Sequence, residues 1–159
     1  MSKSKEEVIL DIGTSTVHRE KYVSFLIGNE NFGFRLLDLI EIYSKIEITR
    51  VPNIPDYILG VMNLRGKVVP VISLRSIFKM ERKEYDNDSR IIIVNYDDES
   101  EVGILVDKVD VVIEVKIEDI ETTPVNNELD TSTFIKGVYN QKNGSLLTII
   151  DLKKLLEKK

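Results

Sequence analysis

The sequence contains no cysteine and a single histidine, His18, among its 159 residues. The absence of cysteine excludes disulfide bonds, catalytic thiols and thiolate metal sites. His18 lies in a polar stretch near the N-terminus, which favours a solvated side chain, and it has no second histidine with which to form a metal centre. We therefore expect neither a cofactor nor a metal in this protein.

Alanine is also absent, whereas isoleucine and valine together account for 38 residues. Alanine is the best helix former, and β-branched residues favour pleated strands. Apolar residues make up 42% of the chain, which is enough for a globular domain with its own core. The composition therefore predicts a mostly β protein.

Long hydrophobic runs and an excess of positive charge are missing as well. No stretch approaches the run of about 18 apolar residues that a membrane span needs, and the charged start is not followed by the apolar segment of a secretory signal. The net charge of −5 argues against a nucleic-acid partner, because phosphate-binding surfaces are usually basic. We expect a cytoplasmic protein without direct membrane insertion.

Two stretches of the chain resemble each other. Residues 58–78 read ILGVMNLRGKVVPVISLRSIF, and residues 135–156 read IKGVYNQKNGSLLTIIDLKKLL. Each continues from a Gly-Val pair to a turn glycine, Gly66 or Gly144, and each has a leucine eight residues after that glycine. A weaker match upstream places Gly33 and Gly103 70 residues apart. The sequence thus predicts an internal duplication of two units of about 70 residues.

Short alternating strands and frequent turns indicate hairpins in each unit. A five-stranded sheet this short avoids open edges by closing into a barrel, so we predict two small barrels with a binding groove between them. The predicted division is a flexible segment at 1–20, a first barrel at about 21–80, a second at about 89–150 and a C-terminal helix at about 151–158. Asp151 is the predicted N-cap of that helix.

The tip of the first predicted hairpin is Arg65-Gly66, where the second has Asn143-Gly144. Asn-Gly is the strongest short hairpin signal, because both residues accept a positive φ. Arginine is strained in that conformation, and a type II turn that would spare it fits the twist of the strands less well. Arg65 is therefore either a tolerated turn residue, or a side chain displayed for a partner or fixed by a carboxylate, for which Glu41 is a candidate.

Several stretches resemble the CheW family, the coupling proteins of bacterial chemotaxis. GVMNLRGKVVPVISLRSIF at 60–78 looks like the family signature, and similar matches are YVSFLIGNENFGFRLLDLIEI at 22–42, ITRVPNIPDYILG at 48–60 and VGILVDKVDVVIEV at 102–115. The resemblance covers about Tyr22 to Leu156. It implies two SH3-like five-stranded β-barrels and a non-enzymatic adaptor. Such an adaptor couples the cytoplasmic tips of chemoreceptors (methyl-accepting chemotaxis proteins) to the regulatory domain of the histidine kinase CheA.

The resemblance also implies site residues, position by position. A kinase or ring-closing contact would involve the loop around Glu121 to Asn126, where this sequence departs from the basic and aromatic residues of some relatives. An adaptor of this kind would be recruited from the cytoplasm to membrane receptor arrays. The receptor-binding groove would include Leu39, Glu41, Gly60, Arg65, Val109 and Val112.

Other interpretations remain open on the residues alone. The chain could be an interaction module of another two-component pathway. Asp38 and Asp107 occupy similar places in the two units and could meet as the acid and base of an enzyme, although no phosphate loop, nucleophile–base pair or metal cluster accompanies them. Small barrels also bind nucleic acid, but the acidic charge argues against it here, and so does the lack of aromatic residues among basic ones.

Overall fold

The structure is a computed structural model that describes residues 8–12, 15–95, 97, 99–122 and 134–157, with side chains from residue 18 onward. Strands dominate these residues, and the two helices are short, so the predicted mostly β fold is confirmed. The strands are β1 Val8–Ile12, β2 Ser15–Ile27, β3 Glu30–Arg35, β4 Leu39–Tyr43, β5 Ile58–Leu64, β6 Lys67–Ser73, β7 Arg90–Asn95, β8 Glu101–Val106, β9 Lys108–Lys116, β10 Ile135–Asn140 and β11 Leu146–Ile150, and the helices are α1 Leu74–Ile77 and α2 Leu152–Glu157.

The chain divides into two compact units. The central unit comprises Phe25–Asn29 and Asp38–Val109. Its five-stranded sheet has the order β4-β7-β8-β6-β5, in which only the β6–β8 pair is parallel. A cluster of buried apolar side chains from β5, β6 and β7 forms its core, because these strands present every second residue to the same face. The cluster contains Met62, Leu64, Val69, Val71, Ile91 and Ile93.

The terminal unit comprises Met1–Ser24, Glu30–Leu37 and Asp110–Lys159. The sheet that supplies its strands has the order β1-β2-β3-β11-β10, and β9 also pairs with β2. Here too one pair is parallel, between β3 and β11. The buried cluster of this unit consists of Tyr22, Val115, Leu147 and Ile149.

The duplication is visible in the strand pairing. The hairpin β5–β6 pairs in parallel with β8, and the equivalent hairpin β10–β11 pairs in parallel with β3. Gly103 lies opposite Val71 in the first case, and Gly33 lies opposite Ile149 in the second. Neither glycine has room for a side chain: a Cβ on Gly33 would lie 3.0 Å from the Val23 carbonyl oxygen, and one on Gly103 would lie 2.9 Å from Cγ2 of Ile91.

Each sheet therefore combines a hairpin from one copy with strands from the other copy, and the units do not follow the predicted division at 21–80 and 89–150. The exchange is clearest for β3 and β11, which pair in parallel although the seven strands from β4 to β10 lie between them in the chain. Parallel neighbours need a crossover connection, and here that connection contains the whole sheet of the central unit. Sequence similarity shows which segments are equivalent, but it does not show which segments pair.

The two ends of the described chain can be compared with the predicted flexible segment and the predicted C-terminal helix. The segment predicted as flexible, 1–20, contains β1 and the start of β2, which pair as an antiparallel hairpin with Val8 opposite Arg19. The C-terminal helix lies within its predicted range. Asp151 is its N-cap as predicted, because its Oδ1 accepts a hydrogen bond from the Lys154 amide at 3.2 Å.

Candidate functional site

The turn that joins β5 to β6 has two residues with positive φ, Arg65 at 52° and Gly66 at 84°. This is the backbone pattern of a type I′ turn, whose twist matches that of the flanking strands. The side-chain oxygen of Asn63 accepts a hydrogen bond from the Gly66 amide at 3.0 Å and thereby stabilises the turn. The type II alternative is excluded, and arginine occupies a conformation that asparagine or glycine adopts with less strain.

The side chain of Arg65 contacts β4, which stands at the opposite end of the sheet's strand order from β5. Its Nη1 donates to Oε1 of Glu41 at 2.8 Å and to the hydroxyl oxygen of Tyr43 at 2.9 Å, and its Nη2 donates to the same Oε1 at 2.5 Å. The prediction that Glu41 fixes Arg65 is confirmed. The Arg65 side chain remains 61% exposed and that of Glu41 35% exposed, so the pair is accessible to a partner and adds little to folding stability.

A second ion pair lies beside the first. Lys67 Nζ is 3.7 Å from Oε2 of Glu101. The hydrogen bond with Tyr43 and the negative charge of Glu41 raise the pKa of Arg65 above its usual value, with a smaller contribution from Glu101. Arginine and lysine are positively charged and the two glutamates negatively charged at neutral pH, so the local group contains two positive and two negative side chains.

The structure also shows why position 60 is a glycine. Gly60 has a φ of 151° and follows a register shift between β5 and β6. A Cβ at this position would collide with the carbonyl oxygen of Thr49, which pairs with Val61 through two backbone hydrogen bonds of 2.7 and 2.9 Å. Gly60, which the resemblance placed in the receptor-binding groove, is thus a packing requirement behind the Arg65 hairpin.

The second copy repeats this packing. A Cβ on Gly137 would lie 2.6 Å from the carbonyl oxygen of Glu121, and Glu121 pairs with Val138 through two backbone hydrogen bonds of 2.8 Å. Glu121, predicted at a kinase or ring contact, is exposed, and it lies on the extended segment that pairs with Val138. Asn126, its partner in that prediction, lies outside the described residues.

The two hairpin tips differ. The amide of Gly144 donates to the carbonyl oxygen of Gln141, and the amide of Gln141 donates to the carbonyl oxygen of Ser145. These two bonds close a three-residue loop at 142–144. Only Gly144 has a positive φ there, so Asn143 does not adopt the left-handed conformation expected from its Asn-Gly sequence. Its side chain instead accepts hydrogen bonds from the amide and hydroxyl of Ser145. The extra residue in this copy converts the two-residue turn into a type I turn closed by a left-handed glycine.

The apolar residues of the predicted groove are distributed between the two units. Leu39 on β4 and Val109 on β9 belong to the central unit and are half-buried. Val112 belongs to the terminal unit and is 52% exposed, as is its neighbour Val111. The hydroxyl of buried Ser24 bonds to both the carbonyl and the amide of Val111, at 2.8 and 3.1 Å, which fixes β9 at this exposed pair.

Sequence reasoning missed Tyr43. Glu41 and Tyr43 are two positions apart on β4, which is the period of side chains on one face of a strand, whereas a register shift against β7 separates Leu39 from Glu41. That spacing could have indicated Tyr43 as a neighbour of Glu41. What it could not show is that the tyrosine hydroxyl reaches the guanidinium of a residue 22 positions away.

Asp107, the carboxylate considered for acid–base chemistry, is held by Arg75. Nε and Nη2 of Arg75 donate to its two oxygens at 3.2 and 2.6 Å, and the Gly28 amide donates to Oδ2 at 2.7 Å. Burial alone raises the pKa of Asp107, but the hydrogen bonds from Arg75 and Gly28 and the charge of Arg75 outweigh it, so the pKa is lowered. A carboxylate kept ionised in this way has a structural role, and Asp38 lies in a separate turn, Leu36–Asp38.

We compared the chain with families and structures of known proteins. A family model described as CheW-like domain matches residues 21–159. The chain is 37% identical to the chemotaxis protein CheW of Bacillus subtilis over 139 residues, which cover 87% of this chain and 88% of that protein. It also resembles the crystal structure of the scaffolding protein TtCheW from Thermoanaerobacter tengcongensis, with a TM-score of 0.77, 34% identity and coverage of 86% of both chains.

A longer protein contains a similar segment. The chemotaxis protein CheA of Borreliella burgdorferi is 25% identical to this chain in an alignment of 158 positions, which spans 92% of this chain and 17% of that protein. The similarity therefore concerns one part of CheA, of about the size of this chain.

Proposed function

We propose that this chain, which belongs to the CheW-like domain family, is a chemotaxis adaptor that couples the cytoplasmic tips of chemoreceptors to the kinase CheA. It acts by binding both partners at once and catalyses no reaction. The observation that carries the proposal is the Arg65 turn, where a strained left-handed arginine is fixed by Glu41 and Tyr43 and remains largely exposed. A residue that the turn itself disfavours is more easily explained by recognition than by folding.

The receptor-binding residues are proposed to be those named from the resemblance. A receptor tip is a helical hairpin, and a helix can place an apolar stripe against exposed apolar side chains while its polar edge meets charged groups. Val112 supports this role, because it is 52% exposed beside the equally exposed Val111 and so leaves apolar surface open on a strand whose Val115 is buried. Arg65 and Glu41 supply polar anchors, and arginine is common at the centres of protein interfaces.

The kinase partner is proposed from the relation to CheA. A segment of that protein resembles this chain over nearly its full length, so the two share a domain type. Related domains can associate through equivalent surfaces, as copies of a single chain do in a symmetric oligomer. The extended segment at Glu121, which is exposed and pairs with Val138, is the candidate contact on this chain.

The absence of catalysis is part of the proposal and rests on the state of the acidic groups. Asp107 is paired with Arg75, and its lowered pKa is unsuited to a general acid at neutral pH. Among the described residues no group of three or more histidine, cysteine, aspartate or glutamate side chains is placed to hold a metal ion. The structural use of Asp107 supports a scaffold rather than an enzyme.

Association with the membrane is proposed to be indirect. In the described part of the chain, no helix is both long and apolar enough to cross a bilayer. The decisive experiment is co-sedimentation with membranes that contain a chemoreceptor, with and without CheA. We expect the chain to pellet with receptor-containing membranes and to increase the amount of CheA in the pellet. Equal amounts in the pellet with receptor-free membranes would contradict the proposal.

A further inference from the structure

The guanidinium of Arg65 is held in place from both ends. Its backbone is fixed by the type I′ turn, and its Nη atoms are bound by Glu41 and Tyr43 on β4. Tyr43 packs against the buried cluster of the central unit, so its hydroxyl is anchored to the core. A guanidinium positioned in this way loses little conformational freedom when a partner binds, which favours selective hydrogen bonding.

The group formed by Glu41, Tyr43 and Arg65, here called the array, retains hydrogen-bond donors and acceptors that are not used within the described residues. The guanidinium has five N–H donors, of which three are used by Glu41 and Tyr43. Both contacts with Glu41 end on Oε1, and within the described residues Oε2 accepts no hydrogen bond. The exposed surface therefore presents two N–H donors beside a carboxylate oxygen acceptor.

The charges around this array balance. Arg65 and Lys67 contribute two positive charges, and Glu41 and Glu101 contribute two negative charges. A partner carboxylate would approach Arg65 but would be repelled by Glu41, and a partner ammonium group would meet the opposite conflict. A neutral group that both accepts and donates would gain hydrogen bonds from both sides without such a penalty.

We propose that Glu41, Tyr43 and Arg65 form a recognition site for a carboxamide side chain, asparagine or glutamine, presented by a helix of the receptor. The carboxamide oxygen accepts from Arg65, and its NH₂ group donates to Oε2 of Glu41. The backbone amides within a helix are already bonded internally, so the group must come from a side chain. A carboxamide carries its acceptor and its donor on separate atoms, one for Arg65 and one for Glu41, whereas a hydroxyl has both on one oxygen. Tyr43 is the positioning residue, since it orients the guanidinium. The inference rests on the proposed receptor-binding role.

The test is a binding titration of the full chain with a purified cytoplasmic signalling fragment of a chemoreceptor. Each asparagine and glutamine at the tip of the fragment is changed in turn to the matching acid, which preserves shape and adds a negative charge. We expect one such change to weaken binding about tenfold, because the new carboxylate faces Glu41. The variant Glu41→Gln, which removes that repulsion, is expected to recover most of the loss.

Two further measurements separate recognition from folding. Tyr43→Phe keeps the ring in the core and removes only the hydroxyl, so we expect the melting temperature to stay near that of the parent while binding to the unmodified fragment falls. Glu41→Gln should also weaken binding to the unmodified fragment. If it strengthens that binding, the partner group is a carboxylate and the inference is wrong.

The inference and the proposed function fail in different ways. If the parent chain binds the fragment but Glu41→Gln rescues none of the acid substitutions, the carboxamide site alone is overturned. Failure of the parent chain to bind the unmodified fragment would overturn the receptor-binding role, and the carboxamide site with it. Loss of the folded state in Tyr43→Phe would assign the hydroxyl to stability, and the rescue by Glu41→Gln would then decide the inference by itself.

Discussion

Arg75 binds both oxygens of Asp107, at 3.2 and 2.6 Å, and the two side chains are only 18% and 17% exposed. The same arginine donates from Nη1 to the carbonyl of Glu81 at 2.8 Å, and Asp107 accepts from the amide of Gly28. One ion pair thus connects helix α1, the segment after it, the turn between β2 and β3, and the turn between β8 and β9. Taken together, its two side chains are less exposed to solvent than those of any other ion pair among the described residues.

This ion pair predicts a pH dependence of stability. The pKa of Asp107 is lowered in the folded state, so its contribution is complete above the unfolded value of about 4 and is lost as the pH falls through the lower folded value. We expect Asp107→Asn to be less stable than the parent at pH 7, and the difference to shrink below about pH 4. Urea unfolding of both proteins between pH 3 and pH 7 measures it.

An exposed carboxylate provides the control for that comparison. Asp110→Asn changes an exposed residue three positions after Asp107 along the chain, and Asp110 forms no salt bridge within the described residues. We expect its stability to follow the parent at every pH. If Asp107→Asn also follows the parent across the whole range, the ion pair does not stabilise the fold.

Replacing Arg65 by asparagine separates recognition from folding. Asparagine adopts a positive φ with less strain than arginine, and the ion pair with Glu41 is exposed, so the melting temperature should stay equal or rise by up to about 4 °C. Binding to a receptor signalling fragment should fall, because the guanidinium is lost. Thermal unfolding and a pull-down of the same preparation provide the two readouts. A variant that melts well below the parent would show that Arg65 is needed for the fold.

Gly60 and Gly66 form a matched pair for testing close packing. Gly60→Ala places a Cβ on the carbonyl oxygen of Thr49, whereas Gly66→Ala places it where no atom lies within 4 Å. Both glycines have a positive φ, but the 151° of Gly60 is a value that essentially only glycine adopts, so the difference between the variants combines the collision with that backbone strain. We expect Gly60→Ala to lower the free energy of unfolding by about 3 kcal/mol and Gly66→Ala by about 1 kcal/mol. Equal losses in urea titrations would remove the packing argument.

Because each sheet contains strands from both copies of the duplicated sequence, we predict that neither half of the sequence folds alone. A cut in the segment at 81–89 separates β4, β5 and β6 of the central unit from β7 and β8. We expect each fragment to give a disordered circular dichroism spectrum, and an equimolar mixture to recover the β signal, because the missing strands are then supplied in trans. A cooperative thermal transition in either isolated fragment would contradict this expectation.

Much of this protein is determined locally by its sequence. The abundance of isoleucine and valine and the absence of alanine make strands the favoured structure wherever turns permit. The Gly66 and Gly144 turns mark two equivalent hairpins, and Asp151 marks the start of α2, because these signals depend on neighbours within a few residues. The sequence also named Glu41 as a candidate partner of Arg65, because its neighbours Ile40 and Ile42 would face the opposite side of a strand, although a tolerated turn arginine remained the alternative.

Only the tertiary structure decided how these pieces combine. Pairing of β6 with β8 and of β3 with β11 joins segments distant in sequence, and backbone hydrogen bonds of that kind leave no distinctive residue pattern. The same holds for Tyr43, whose hydroxyl meets Arg65 although β4 and β5 stand at opposite ends of the sheet's strand order, and for Asp107, whose partner is Arg75 rather than a second carboxylate. Local chemistry selected the strands, and the closure of two cores selected their neighbours.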